Sequence, residues 1–327
     1  MASNLALRSR KSVTHQTLLK TLATSPTLRP FTTSSATATS TEPDQSTSFT
    51  FSSNDGASVF IKAPKKETKE TSSVAMPMSF MTGSIVGKRF YKQVTTRRAD
   101  DGNGWTVMLD YRTLKSPTKR VLRLPTIGLA KAVAAEWEFQ QTDGIRPFTM
   151  PLMRLACTAL ERVPLTRPKI IENLMSKFNH DLVFCRAPED SDLTRALHEK
   201  QVEKIDPLLK WVESEFRFKP IVHSTFFGGK QEEGLVKAIE ILLKRADDYE
   251  LAAIDAMTAA SHSLVISIGL FHGKLQIEDA IELIRLEEDL QIDKWGLVEG
   301  GHDIDIADLR IQIASATVFL GLSKRHQ

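Results

Sequence analysis

Serine and threonine fill 23 of the first 53 positions, and residues 32–84 contain neither Trp nor Tyr. Such a segment cannot bury enough apolar area to offset the entropy lost on ordering it. Residues 32–84 are therefore expected to be a disordered tether, with Lys65-Lys66-Glu67-Thr68-Lys69-Glu70 as a solvated mixed-charge spacer. What can fold begins near Ile85, and a chain of 327 residues then has room for two domains.

The formal charge of +3, from 43 basic and 40 acidic residues, is unevenly spread. Residues 1–31 hold Arg8, Arg10, Lys11, Lys20 and Arg29 and no acid, which leaves the remainder near −2. A nucleic-acid binder needs a concentrated basic footprint, so no nucleic-acid partner is expected. Basic, Ser-rich and acid-free composition is that of an organelle transit peptide, and Leu5, Leu18, Leu19 and Leu22 can line one side of a transient helix. Arg29-Pro30-Phe31-Thr32 resembles a matrix-protease site with Thr32 as the mature start. The alternative is a basic disordered tail, and composition does not separate a mitochondrial from a plastid signal. Two cysteines, Cys157 and Cys185, make neither a disulfide framework nor a four-cysteine metal site.

The expected fold class is α+β, a small β-rich N-terminal domain (85–165) followed by an α-helical bundle (166–327). Alternation over Arg89–Val94 predicts a strand, Asp100–Gly104 a turn, and Trp105–Asp110 the second arm of a hairpin. Thr113–Lys115 and Val121–Leu124 read as two further strands. Pro125-Thr126 opens a helix with Leu129, Val133 and Trp137 on one face, closed by Asp143-Gly144. Met150–Ala156 leads into a helix expected to end near Pro164.

Beyond residue 166, helical spacing relates Ile170, Ile171, Leu174, Met175 and Phe178, and again Ile205, Leu208, Leu209, Val212 and Phe216. Further helices are expected over 231–246, 277–290 and 306–320. Leu251 to Leu270 is the most apolar run and has membrane-spanning length. Asp255 and His262 interrupt it, so it reads as one buried central helix and no membrane span is expected. Gly273, Gly296 and Gly300-Gly301 mark connections.

No constellation for catalysis, metal or cofactor is recognisable. Gly102-Asn103-Gly104 and Phe227-Gly228-Gly229-Lys230 lack the remaining glycines of a phosphate loop. No two histidines stand four apart, and His180-Asp181 are adjacent, so their side chains diverge by about 100° on a helix. Hydrogen bonding or capping is the expected role of Asp181, and a buried thiol that of each cysteine.

One segment differs. Arg285–Gly296 packs four acids and Trp295 into twelve residues, and Glu288 and Gln291 are i, i+3 neighbours able to meet one ligand surface together, beside Glu287. The competing reading is a solvated helix face with Trp295 plugging the core.

Several stretches come in a specific order: Lys88-Arg89-Phe90-Tyr91-Lys92; Trp105–Asp110 with Leu114-Lys115-Ser116-Pro117; Leu124-Pro125-Thr126; Ala135-Glu136-Trp137-Glu138 with Gln140; Met150-Pro151-Leu152 with Leu155-Ala156; Asp206-Pro207-Leu208-Leu209 with Trp211; and Glu287-Glu288 with Gln291 and Trp295-Gly296. Over residues 87–322 this series resembles the mitochondrial ATP synthase assembly factor 2 family. It departs from the family at Ile205, where Trp is usual, and at Tyr111, where Gly is usual. The resemblance implies a non-enzymatic chaperone of the mitochondrial matrix; apart from it, a monomer is expected, and no cofactor, for want of a phosphate loop. Such a chaperone would hold the ATP synthase α subunit until a β subunit replaces it. The family's important acid falls on Glu288, with Glu287 and Gln291 beside it as partner-binding residues. The rival reading is a matrix enzyme using His180, Asp181, Glu287 and Glu288; a third is a scaffold for another matrix protein.

Overall fold

The computed structural model describes residues 73–75, 87–190, 194–224, 229–298 and 300–324. The transit peptide expected over 1–31 lies outside them, as does the tether expected over 32–84 except for three residues. Those three form β1 (Ser73–Ala75), which pairs in parallel with β4 (Arg112–Lys115), Val74 opposite Leu114. The other strands are β2 (Val94–Arg98) and β3 (Trp105–Leu109), giving the sheet order β1-β4-β3-β2. β2 and β3 form the expected hairpin, with Arg98 opposite Trp105 and Val94 opposite Leu109. Its turn needs glycine: Gly102 and Gly104 have φ of +75° and +89°.

Two strand expectations are corrected. Arg89–Gln93 does not pair in the sheet, because the Asp110 carboxylate accepts the backbone N–H groups of Lys92 (3.0 Å) and Gln93 (2.8 Å). The segment is instead a strap over the end of α1 (Ile127–Glu138). Arg89 donates to the carbonyls of Glu138 and Gln140, and the buried Tyr91 hydroxyl donates to the Trp137 carbonyl at 2.6 Å. Val121–Leu124 makes only isolated bridges, since Leu122 N–H bonds Leu114 of β4 while Leu124 N–H bonds Trp105 of β3. It crosses from one strand to the other and forms a ladder with neither.

α1 starts where expected, with the Thr126 hydroxyl accepting Leu129 N–H at 3.1 Å, and buries Leu129, Val133 and Trp137 against β2 and β3. It stops at Glu138, short of Asp143-Gly144, where the Arg89 strap takes its final carbonyls.

The helix entering Pro164 does not end there. α2 (Pro151–Cys157) runs through a π-turn at Thr158–Arg162 into α3 (Val163–Phe178). The π-turn pairs Val163 N–H with the Thr158 carbonyl, five residues back. Proline 164 lacks the N–H that the Leu160 carbonyl would accept in an α-helix, and Arg120 donates to that carbonyl at 3.4 Å.

The bundle continues with α4 (Arg195–Phe216), α5 (Glu233–Arg245), α6 (Asp248–Ser261), α7 (Leu264–Phe271), α8 (Ile277–Trp295) and α9 (His302–Ser323). The single central helix expected over 251–270 is thus two. His262 adopts the left-handed conformation (φ 54°), which ends α6, and the Ser263 hydroxyl accepts Ile266 N–H at 3.0 Å to start α7. α9 packs along α6 and buries Ile313, Ala316, Phe319 and Leu320. It is apolar and long enough to cross a bilayer by length and composition alone.

Glu67–Gln327 form one compact unit. Its core runs without interruption from Val107 and Leu114 in the sheet through Trp137, Met153 and Phe178 to Met257 and Phe319. The architecture is α+β, a small sheet in the N-terminal region followed by helices.

Candidate protein-interaction site

Two carboxyls that could serve acid–base chemistry are occupied in holding helix starts. Asp181 is buried; burial pushes its carboxyl up to about 6, opposed by the hydrogen bonds it accepts. Those come from the Ser263 hydroxyl (2.6 Å) and Val265 N–H (3.0 Å) at the start of α7, and from Val183 N–H (3.2 Å). His180 beside it is exposed. Glu136 is pushed up to about 7 by burial and accepts the N–H groups of Leu152 (2.7 Å) and Met153 (2.8 Å) in the first turn of α2. The buried Cys157 thiol is raised to about 12, again chiefly by burial, so it is no nucleophile near neutrality. Among the described residues no group of three or more His, Cys, Asp and Glu side chains is placed to hold a metal.

α8 carries the acidic segment. A capping box opens the helix, with Asp279 accepting Gln276 N–H at 3.1 Å, and Glu278 and Asp279 in the first turn suit its positive end. Ala280, Ile281, Leu283 and Leu286 are buried where α8 meets α4, α7 and α9. Lys204 of α4 reaches Glu282 at 3.0 Å, and Arg310 of α9 reaches Glu278 at 3.1 Å. Leu286 is the last buried residue. The helix then continues for nine residues, to Trp295, with no buried side chain. Gly296, at φ +88°, stops it.

On this projecting part, Glu288, Gln291 and Trp295 stand at helical intervals of three and four, so they share one exposed stripe. Glu287, also exposed, lies about 100° around the helix on the flank. The structure thus brings Glu288 and Gln291 together and sets Glu287 beside them. Trp295 is no core plug: it is 78% exposed. Apolar residues continue past it, with Leu297 and Val298 exposed before α9 begins. His302 holds that connection, its ring accepting Val298 N–H while its own N–H bonds the Val298 carbonyl.

Arg285 has a role that the spacing signalled and the acids obscured. Its guanidinium, buried beneath the acidic face, donates to Glu288 at 2.7 Å and to Asp289 at 2.8 and 3.1 Å. A cation three and four residues before two acids is a recognisable helical pattern. Its burial is set by the surrounding helices and is invisible in the segment alone.

The family model described as ATP12 chaperone protein matches residues 88–213. The curated relative "Protein atp12, mitochondrial" of Schizosaccharomyces pombe is 26% identical over 244 residues, covering 71% of this chain and 81% of the relative. "Protein ATP12, mitochondrial" of Saccharomyces cerevisiae is 21% identical over 275 residues, covering 72% and 84%. The crystal structure of Atp12 from Paracoccus denitrificans superposes with a TM-score of 0.67 at 28% identity, covering 73% of this chain and 99% of that one. Family model, named relatives and fold agree with the ordered motifs over the strap, the sheet, α1 and α4, and mark this chain as similar to the ATP12 chaperones.

Proposed function

We propose that this protein is an ATP12-type chaperone of the mitochondrial matrix, where it binds the unassembled α subunit of ATP synthase and keeps it from aggregating until a β subunit takes its place. Glu288, flanked by Glu287 and Gln291, contacts the client. The observation that carries this reading is the Glu288 carboxylate, exposed on the projecting end of α8 yet tethered by a buried Arg285 at 2.7 Å. A carboxylate held in place accepts charge-assisted hydrogen bonds from basic groups without first being ordered. The relatives named mitochondrial support the compartment.

An unassembled subunit exposes an interface large enough to aggregate. A chaperone that covers it must later yield, so it needs fewer anchors than the native partner. Contact through one projecting helix end meets that requirement. Capture of purified, dilution-refolded α subunit tests the proposal. Wild type captures it, Glu288→Gln captures it at least tenfold more weakly, and Glu288→Lys not at all, with both variants folded. Undiminished capture by folded Glu288→Lys would overturn the assignment of Glu288, and no capture by wild type would overturn the client.

A further inference from the structure

We propose that the elbow joining α8 to α9, formed by Trp295, Leu297, Val298 and Ile304, is the apolar half of a docking surface. Its occupant is a polypeptide segment that presents a large apolar side chain beside lysine or arginine. This deepens the reading above, on which it rests for the client's identity.

Four large apolar side chains at one bend of the chain are exposed: Trp295 by 78%, Leu297 by 50%, Val298 by 61% and Ile304 by 60%. Isolated exposed apolar residues need no explanation, whereas four within ten residues of one bend, headed by tryptophan, call for one. Tryptophan is the residue type most enriched among energetically dominant interface positions. Gly296 and Gly300 take the positive φ that the bends of the elbow require, and Val298 is bonded in both directions to His302. The elbow stands at the tip of nine helical residues with no buried side chain, so it is presented away from the core.

The surroundings select the occupant. Between residues 287 and 305 the chain carries seven carboxylates and one lysine. Trp295 shares its stripe with Glu288, and Asp303 and Asp305 flank Ile304. An anionic lipid surface or a nucleic-acid backbone is repelled by such a rim. A basic and apolar segment is matched twice, through its cation at Glu288 and its apolar side chain at Trp295. The two halves differ in their response to salt, because screening weakens exposed charge contacts and leaves apolar burial intact.

The experiment uses the full chain and two probes: refolding α subunit, and a labelled synthetic peptide with alternating lysine and leucine, with an aspartate-for-lysine version as control. Trp295→Ala and Val298→Ser should each weaken binding of both probes at least tenfold, by the same factor at 50 and 300 mM salt. Glu288→Gln should weaken it with an effect that shrinks at high salt. If Glu288→Gln weakens capture while both elbow variants bind as wild type does, the elbow inference is overturned and the proposed function stands. If wild type ignores the α subunit but binds the lysine–leucine peptide through Trp295, the elbow stands and the client assignment falls. Equal binding of the aspartate peptide, or Trp295-dependent binding to phosphatidylserine vesicles, overturns the inference.

Discussion

The Arg285 guanidinium lies 2.7 Å from Glu288 and 2.8 Å from Asp289, yet its side chain is 5% exposed and theirs are 59% and 52%. The three groups therefore have unequal needs. The acids, left alone, would be hydrated. The arginine, left alone, would be a buried cation without a counter-charge. The arrangement stabilises the arginine more than the acids, and what the acids gain is orientation. Two carboxylates that would otherwise sample several rotamers are directed along the exposed face of α8, beside Gln291 and Trp295.

Arg285→Met should therefore leave folding stability unchanged or raise it by up to about 3 kcal/mol, as replacing buried ion pairs with apolar side chains of like volume has done elsewhere. α-Subunit capture should nonetheless weaken several-fold, because Glu288 must then be ordered on binding. Glu288→Gln combined with Asp289→Asn removes both counter-charges and should destabilise by about 3 kcal/mol. Urea unfolding of the two proteins measures the asymmetry. Equal destabilisation would show that the arginine is needed for the fold and is not serving to place the acids.

The pattern of the sequence made the faces of α1, α3 and α4 legible, because each buries its apolar stripe against the body that the stripe implies. It failed where a distant side chain took over a local backbone. Asp110 reaches back to Lys92 and Gln93 and prevents a strand; Asp181 reaches Ser263 and Val265 and starts a new helix in what reads as a continuous one. Pro164 reads as a stop because a π-turn leaves no compositional trace. Several residues carrying the family resemblance prove to be staples: Arg89 and Tyr91 tie down the end of α1, Gln140 accepts Arg146 N–H at 2.7 Å, and Asp206 pairs with the buried Arg186 at 2.7 Å. At the candidate site the Glu288–Gln291 spacing was readable. The exposure of Trp295 was not, since it depends on where the body of the protein ends.

The Asp181 junction gives a sharp test of that account. Asp181→Ala leaves three donors, the Ser263 hydroxyl and the N–H groups of Val265 and Val183, without their acceptor in a buried site. The expected loss is about 3 kcal/mol or more. Asp181→Asn keeps one acceptor oxygen and should cost about half as much. Amide hydrogen exchange at Val265 should quicken in both, and wild-type protection there in Asp181→Ala would refute the capping role.

His262→Gly should stabilise the protein by up to about 1 kcal/mol, seen as a raised melting temperature. His262 is exposed and holds φ at 54°, a conformation that a side chain disfavours and glycine adopts freely. A fall in stability would mean that the imidazole makes a contact worth more than the relieved strain.

Glu136 gives the fold a pH dependence of defined sign. In the unfolded chain its carboxyl titrates at the ordinary value of 4.5, whereas in the folded protein burial raises it to about 7 against the pull of two N–H donors. The folded state therefore binds the proton more tightly. The stability linked to this group is complete below about pH 4.5 and is lost as pH rises through about 7, by at most about 3 kcal/mol. Asp181, raised to about 6, acts in the same direction over a lower range. Glu136→Gln removes only the first contribution. Between pH 5 and pH 8 the unfolding free energy of wild type should fall by about 1–3 kcal/mol more than that of the variant. Parallel curves would mean that the bonds from Leu152 and Met153 keep Glu136 ionised at both pH values and that the carboxylate caps α2 throughout.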